Sequence, residues 1–185
     1  MVAWRKAVTF VALSAATCTG CGGSVRPSAP PGVVMARLSV TSKAFAPNGA
    51  IPVDYTCDGA DHSPPLAWSA PPAGTRALAV LVDDPDAIGG DFTHWLAFNL
   101  GPSAAMLPEG VDATTLAGEE GTNSFGRIGY AGPCPPRHEM HRYEFRVFAL
   151  DAPLTARSGA TRDDFDQAMS QHVLAEGALV GTFSH

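Results

Sequence analysis

Asp84, Asp86, His94, His141 and Tyr143 stand where apolar runs open into polar sequence. Residues two apart on a strand share a face. In 77–82 (ALAVLV), the face of Leu78, Val80 and Val82 leads on to Asp84. In 94–100 (HWLAFNL), the face of Leu96, Phe98 and Leu100 begins with His94. In 142–150 (RYEFRVFAL), the face of Phe145 and Val147 is preceded by Tyr143 and His141. Asp84 ends its strand and the other three start theirs. Antiparallel pairing can bring such ends together.

The chemistry follows from the residue types. Two histidines and a tyrosine can donate hydrogen bonds to an anion. Asp84 or Asp86 can accept from a histidine, fixing its tautomer or keeping it cationic. The segment Gly132-Pro133-Cys134-Pro135-Pro136 would form a rigid wall. These groups are costly to bury alone. Converged, they would line a small polar pocket with apolar walls, the usual form of a ligand site. Plainer roles stay open beside this one. His94 can be a core histidine bonded to a carbonyl, and Asp84 before Pro85 can be a turn residue.

Enzyme motifs are missing. The sequence has no G-x-S-x-G elbow and neither glycine-rich phosphate loop. His138-Glu139-Met140-His141 places its histidines three apart, whereas a helical zinc motif needs four. No serine is positioned as a nucleophile. The expectation is a binding protein, not an enzyme, with no cofactor and no metal. Acidic residues outnumber basic ones 18 to 12 and no basic run occurs, which excludes the footprint of a nucleic-acid binder.

These residues need strands to position them. Besides the three strands above, 37–41 alternates, with Leu38 and Val40 on one face, and 178–183 reads as a last strand. The 77–82 run is apolar on both faces, which suits a central buried strand. One helix is expected near the C-terminal end. Thr161 is its N-cap, and Asp163 and Asp164 lie in its first turn. Phe165, Ala168, Met169, His172 and Val173 form its stripe, and Gly177 its stop. Gly (19) and Pro (16) leave little room for long helices in 185 residues, and 45% apolar content argues against disorder. The fold class is all-β, an antiparallel sandwich of two sheets with that one helix.

Residues 1–20 read as a signal peptide, with Arg5 and Lys6 before a short apolar stretch. Gly20-Cys21 resembles a lipoprotein cleavage site with Cys21 lipidated, although Cys18 stands where an aliphatic residue is usual. Cys18 and Cys21 form a C-x-x-C, but a hydrophobic leader gives it no redox or zinc context. Residues 21–36 read as a flexible tether and 37–185 as the folded domain. The chain is therefore expected to be exported and held at the cell membrane by a lipid anchor, with plain secretion as the alternative. In an oxidising compartment Cys57 and Cys134 are candidates for a disulfide, the other reading being two buried thiols.

Four blocks carry a family resemblance: Asp84-Pro85-Asp86-Ala87, Thr93-His94-Trp95-Leu96, Gly129-Tyr130-Ala131-Gly132-Pro133-Cys134-Pro135-Pro136 and His141-Arg142-Tyr143. Together they resemble the phosphatidylethanolamine-binding protein family, in its bacterial Raf-kinase-inhibitor-like branch. Tyr55-Thr56-Cys57-Asp58-Gly59 and Leu179-Val180-Gly181-Thr182 are similar to that branch too. The resemblance covers about 37–184. It implies a β-sandwich with a small pocket for phosphate-like groups, including phospholipid head groups. Asp84, Asp86, His94, His141 and Tyr143 match the pocket positions, with Gly132, Pro133 and Pro135 in its wall. Two departures lie at the mouth: Ile88 stands where proline is frequent, and Arg137-His138-Glu139-Met140 replaces a glycine-rich stretch. Arg137 is placed to add a contact to an anion. Family members are also described as inhibitors of kinases and proteases. The alternative expectation is thus an inhibitor of an exported protease, touching it through 87–92 or 137–140.

Overall fold

The computed structural model describes residues 36–185; the leader and nearly all of the tether, Cys21 included, lie outside the described residues. Nine strands and one α-helix make up the domain: β1 Ala36–Arg37, β2 Val40–Thr41, β3 Leu66–Trp68, β4 Ala77–Asp84, β5 Phe92–Leu100, β6 Met106–Leu107, β7 Glu119–Glu120, β8 Met140–Leu150, α1 Arg162–Met169 and β9 Val173–Ser184. A six-stranded sheet runs β1-β9-β8-β4-β5-β7, and a three-stranded sheet runs β2-β3-β6. Pairing is antiparallel throughout except at the edge, where β1 runs parallel to β9. Among the described residues no helix is long and apolar enough to cross a membrane.

The large sheet is covered on both faces, as β4 requires, since every one of its residues is buried. One face carries Leu78, Val80, Val82, Tyr143, Phe145 and Val147 against Val40, Leu66 and Trp68 of the small sheet. The other carries Ala79, Leu81, Leu96, Phe98 and Phe148 against Phe165 of α1. Arg37 to Thr41 is not one strand: Leu38 and Val40 both point into the core, but the chain passes from one sheet to the other between them.

The parity expected for β5 is corrected. Val82 pairs with Trp95 while Asp83 pairs with Thr93, so His94 is an extra residue in a β-bulge. A second extra residue lies at Phe98–Asn99, where Asn99 has φ 56°. Leu96 and Phe98 therefore face the helix, and Leu100 faces the inter-sheet core. The bulge turns His94 onto the face of Asp84 and leaves Thr93 on the face of Asp83.

α1 starts at the expected cap. Thr161 Oγ1 accepts from the Asp164 amide, and Asp164 Oδ2 accepts from the Thr161 amide, closing a capping box. Thr161→Ala is expected to cost about 1 kcal/mol, read as a lower urea midpoint at unchanged slope. The helix stops at Ser170, before Gln171 in the left-handed region (φ 70°), not at Gly177. Gly177 lies inside β9, where a Cβ would run into the Leu38 carbonyl.

Candidate functional site

β4 and β8 are antiparallel neighbours in register from Ala77↔Leu150 to Asp83↔Glu144, so the end of β4 meets the start of β8. There His141 Nδ1 lies 2.7 Å from Asp84 Oδ2, and each side chain is only 5% exposed. Asp84 Oδ1 also accepts from the Asp86 amide (2.9 Å), so the turn role open in the sequence is filled as well. The other ring nitrogen, Nε2, lies 3.2 Å from Glu139 Oε2. Carboxylates only accept, so both nitrogens donate and the ring is an imidazolium. Burial works against that charge, but the bonds to Asp84 and Glu139 outweigh it and raise the His141 pKa above the ordinary histidine value.

His94 is in the opposite state. Its Nδ1 donates to the Ala131 carbonyl at 2.7 Å, the core-histidine bond, and Ala131 N donates back to the His94 carbonyl. Burial pushes its pKa down, although the carbonyl bond and Asp84 pull the other way. Nε2 is left as the ring nitrogen available to the cavity. Tyr143 packs edge-on against His94 with centroids 5.2 Å apart. Its hydroxyl is fully buried and, among the described residues, is the one buried side-chain polar atom with no hydrogen-bond partner. Burial first, then the Asp84 charge, raises its pKa and keeps it a phenol.

Asp84, His94 and His141 line one cavity of about 230 Å³. Cys134, Pro135 and Pro136 form one wall, and Phe92, Phe125, Ala87 and Ile88 another. Recesses of about 700 Å³ lie beside α1 and beside Tyr130, but neither contains a buried acid–histidine pair.

Several expected site residues stand elsewhere. Asp86 turns away from the cavity to a bidentate pair with Arg142 (2.9 and 2.6 Å), which holds its pKa down at about 2. Gly132 and Pro133 do not line the cavity. The Gly132 amide donates to Asp61 Oδ1, and the Pro133 carbonyl accepts from Cys57 N, so both anchor the wall from behind. Cys57 and Cys134 are joined by a disulfide across the same two loops. Tyr143 lies behind His94 instead of on the cavity surface. Arg137 is exposed and off the cavity. Phe125 joins the cavity without any place in the sequence-based expectation, which includes Phe92 and Glu139 only within the 87–92 and 137–140 segments. Phe125 is set by Asn123, whose Oδ1 accepts from the Phe125 and Arg127 amides, so an asparagine turn was the only signal.

The family model described as phosphatidylethanolamine-binding protein matches residues 41–184. The chain belongs to that family. A UPF0098 protein of Pyrococcus horikoshii is 44% identical over 148 residues, covering 77% of this chain and 74% of its own. LppC of Mycobacterium tuberculosis, which its name calls a lipoprotein, is 38% identical over 179 residues, covering 90% of this chain and 88% of its own. The crystal structure of a phosphatidylethanolamine-binding protein homologue from Chlamydia trachomatis superposes with a TM-score of 0.75 at 36% identity, covering 80% of this chain and 98% of that one. The fold is therefore that of the phosphatidylethanolamine-binding proteins, and the chain is a binding protein of this family. None of the residues lining the cavity carries a hydroxyl or a free thiol, so the cavity offers neither nucleophile.

Proposed function

We propose that this phosphatidylethanolamine-binding family member is an exported, lipid-anchored protein whose cavity captures the phosphate group of small ligands such as phospholipid head groups. The observation that carries the reading is the meeting of two buried histidines at one cavity, His141 bonded to carboxylates and His94 to a carbonyl, with an unpaired phenol behind them. The volume suits a head group and not a whole lipid, since drug-sized pockets run from about 300 Å³ upward. Export is supported by the signal-like leader and by LppC, whose match covers more of this chain than the described residues alone.

Inorganic phosphate and phosphorylethanolamine should raise the Tm by mass action, and saturation at about 100 Kd adds about 2.7 kcal/mol. No shift with either compound refutes the reading. Binding should also take up a proton. His94 is neutral when free and must gain a proton to donate from Nε2 to an anion, so affinity rises as pH falls from 8 to 6. Sulfate, whose charge is constant over this range, is the probe for calorimetry; a flat profile counts against His94 as a donor.

Glu139 holds the outer nitrogen of His141 and is about half exposed, at 51%. An anion approaching that nitrogen meets its charge. Glu139→Gln should tighten phosphate binding by up to about fivefold, the scale of an exposed charge pair. Unchanged or weaker binding places the anion away from His141 Nε2. The alternative reading, contact with an exported protease through 87–92, draws on the high exposure of Ile88. Replacing Gly89, Gly90 and Asp91, the residues of that loop that do not line the cavity, separates the two, since loss of protease inhibition with phosphate binding intact favours the protease.

A further inference from the structure

The Cys57–Cys134 disulfide has a third neighbour that pocket chemistry does not use. The sulfurs of Cys57 and Cys134 and one ring nitrogen of His185 all lie within 4.8 Å of one another. Cys57 and Cys134 are exposed, so a reductant in solution reaches their bond, and the His185 ring beside them is 15% exposed. His185 follows β9 and is not free to turn: its Nδ1 is held by Asp58 Oδ2 at 2.8 Å, and its ring packs against Phe183 with centroids 5.8 Å apart. With Nδ1 donating to a carboxylate, the nitrogen left for other chemistry is Nε2. A histidine oriented by a carboxylate, beside two sulfurs, is the arrangement found around zinc.

We propose that Cys57, Cys134 and His185 form a metal site, for zinc or a similarly thiophilic divalent cation, once the disulfide is reduced. A cystine sulfur is a poor ligand, so reduction must come first. A dithiol reductant, such as an exported protein dithiol, gives two electrons and two protons to the Cys57–Cys134 bond and becomes a disulfide itself. The metal then displaces the two thiol protons to solvent and bonds both thiolates and His185 Nε2, with water in the fourth position. Ligand atoms in such a tetrahedron stand about 3.5–4 Å apart, and the two sulfurs and one ring nitrogen of His185 already lie within 4.8 Å of one another. Asp58 is the positioning residue for His185.

The site would do for the reduced chain what the disulfide does for the oxidised one. Cys57 belongs to the loop after the 3₁₀ turn Val53–Tyr55, and Cys134 to the cavity wall. A metal bridging them keeps the wall tied in place when the covalent link is open. The inference does not depend on what the cavity binds.

The test uses the full chain without a histidine tag, with Cys18→Ser and Cys21→Ser to remove the two remaining thiols. Protein reduced by a phosphine under nitrogen is titrated with Co²⁺. The expected result is one equivalent bound, with a thiolate-to-cobalt band and tetrahedral d–d absorption, and neither signal from the oxidised protein. His185→Ala keeps both cysteines and the disulfide, so its fold can be checked oxidised; once reduced, it should bind at least tenfold more weakly. Zn²⁺ should restore the Tm lost on reduction in the parent and not in His185→Ala. No thiolate band in the reduced parent overturns the proposal. So does a band of equal affinity in His185→Ala, or a reduced chain that stays unfolded with Zn²⁺ present.

Discussion

His141→Ala is expected to abolish the phosphate-induced rise in Tm and to cost about 3–5 kcal/mol at pH 6, the range for breaking a buried ion pair by removing one partner. The loss comes from the group left behind. Asp84 is buried at the end of β4, and without the imidazole only the Asp86 amide remains to it. Because the His141 pKa is raised in the fold, the folded chain holds that proton more tightly than the unfolded chain does. The stabilisation is therefore complete below the unfolded histidine value of about 6.5 and is lost as pH rises through the raised value. The penalty should accordingly be larger at pH 6 than at pH 9. Urea midpoints at both pH values check the stability, and Tm with and without phosphate checks the binding. A cost below about 1 kcal/mol, or one equal at both pH values, contradicts a buried charged pair.

How far the sequence reveals this site depends on whether hydropathy records the backbone. β4 and β8 keep period two without interruption as far as the cavity, so the meeting of Asp84 with His141 is legible from parity alone. β5 is not. The extra residue at His94 leaves no mark in hydropathy, yet it reverses every face that follows until Asn99 reverses it again. His94 thus reaches the cavity face while Leu96 and Phe98 leave it. Asp86 lies off the cavity, and the sequence carries a signal for it: Arg142 has the opposite parity to His141 and so meets Asp86 outside the sheet. The helix start is legible because Thr161 and Asp164 bond at fixed spacing. Its end is not, because glutamine instead of glycine takes the left-handed turn. Phe125 and Glu139 come from loops, where no period exists to betray them.

Arg162→Ala should cost about 3 kcal/mol at pH 7, the low end for a buried pair because a quarter of the arginine side chain stays exposed. Asp83 and Asp84 are consecutive on β4 and point to opposite faces. Asp83 meets the helix side, where Arg162 Nη1 donates to both of its oxygens at 2.7 Å and Thr93 Oγ1 donates at 3.0 Å. Thr93 can take part because the His94 bulge turns it to that face. Burial raises the Asp83 pKa, and Arg162 is the largest influence holding it down. Without the arginine it rises further, so the folded variant binds that proton more tightly than the unfolded chain, whose aspartate titrates near 3.9. Stability is then retained at acid pH and lost as pH climbs above about 4, making the defect larger at pH 7 than at pH 4.5. Adding Asp83→Asn removes the stranded charge and should recover most of the loss at neutral pH, a coupling that a double-mutant cycle measures. Equal defects at the two pH values, or no recovery, would mean that Arg162 matters for packing alone. The phosphate shift should survive in Arg162→Ala at temperatures where it is folded. Its survival there and its loss in His141→Ala would show that β4 serves stability through both faces and ligand capture through the face of Asp84 alone.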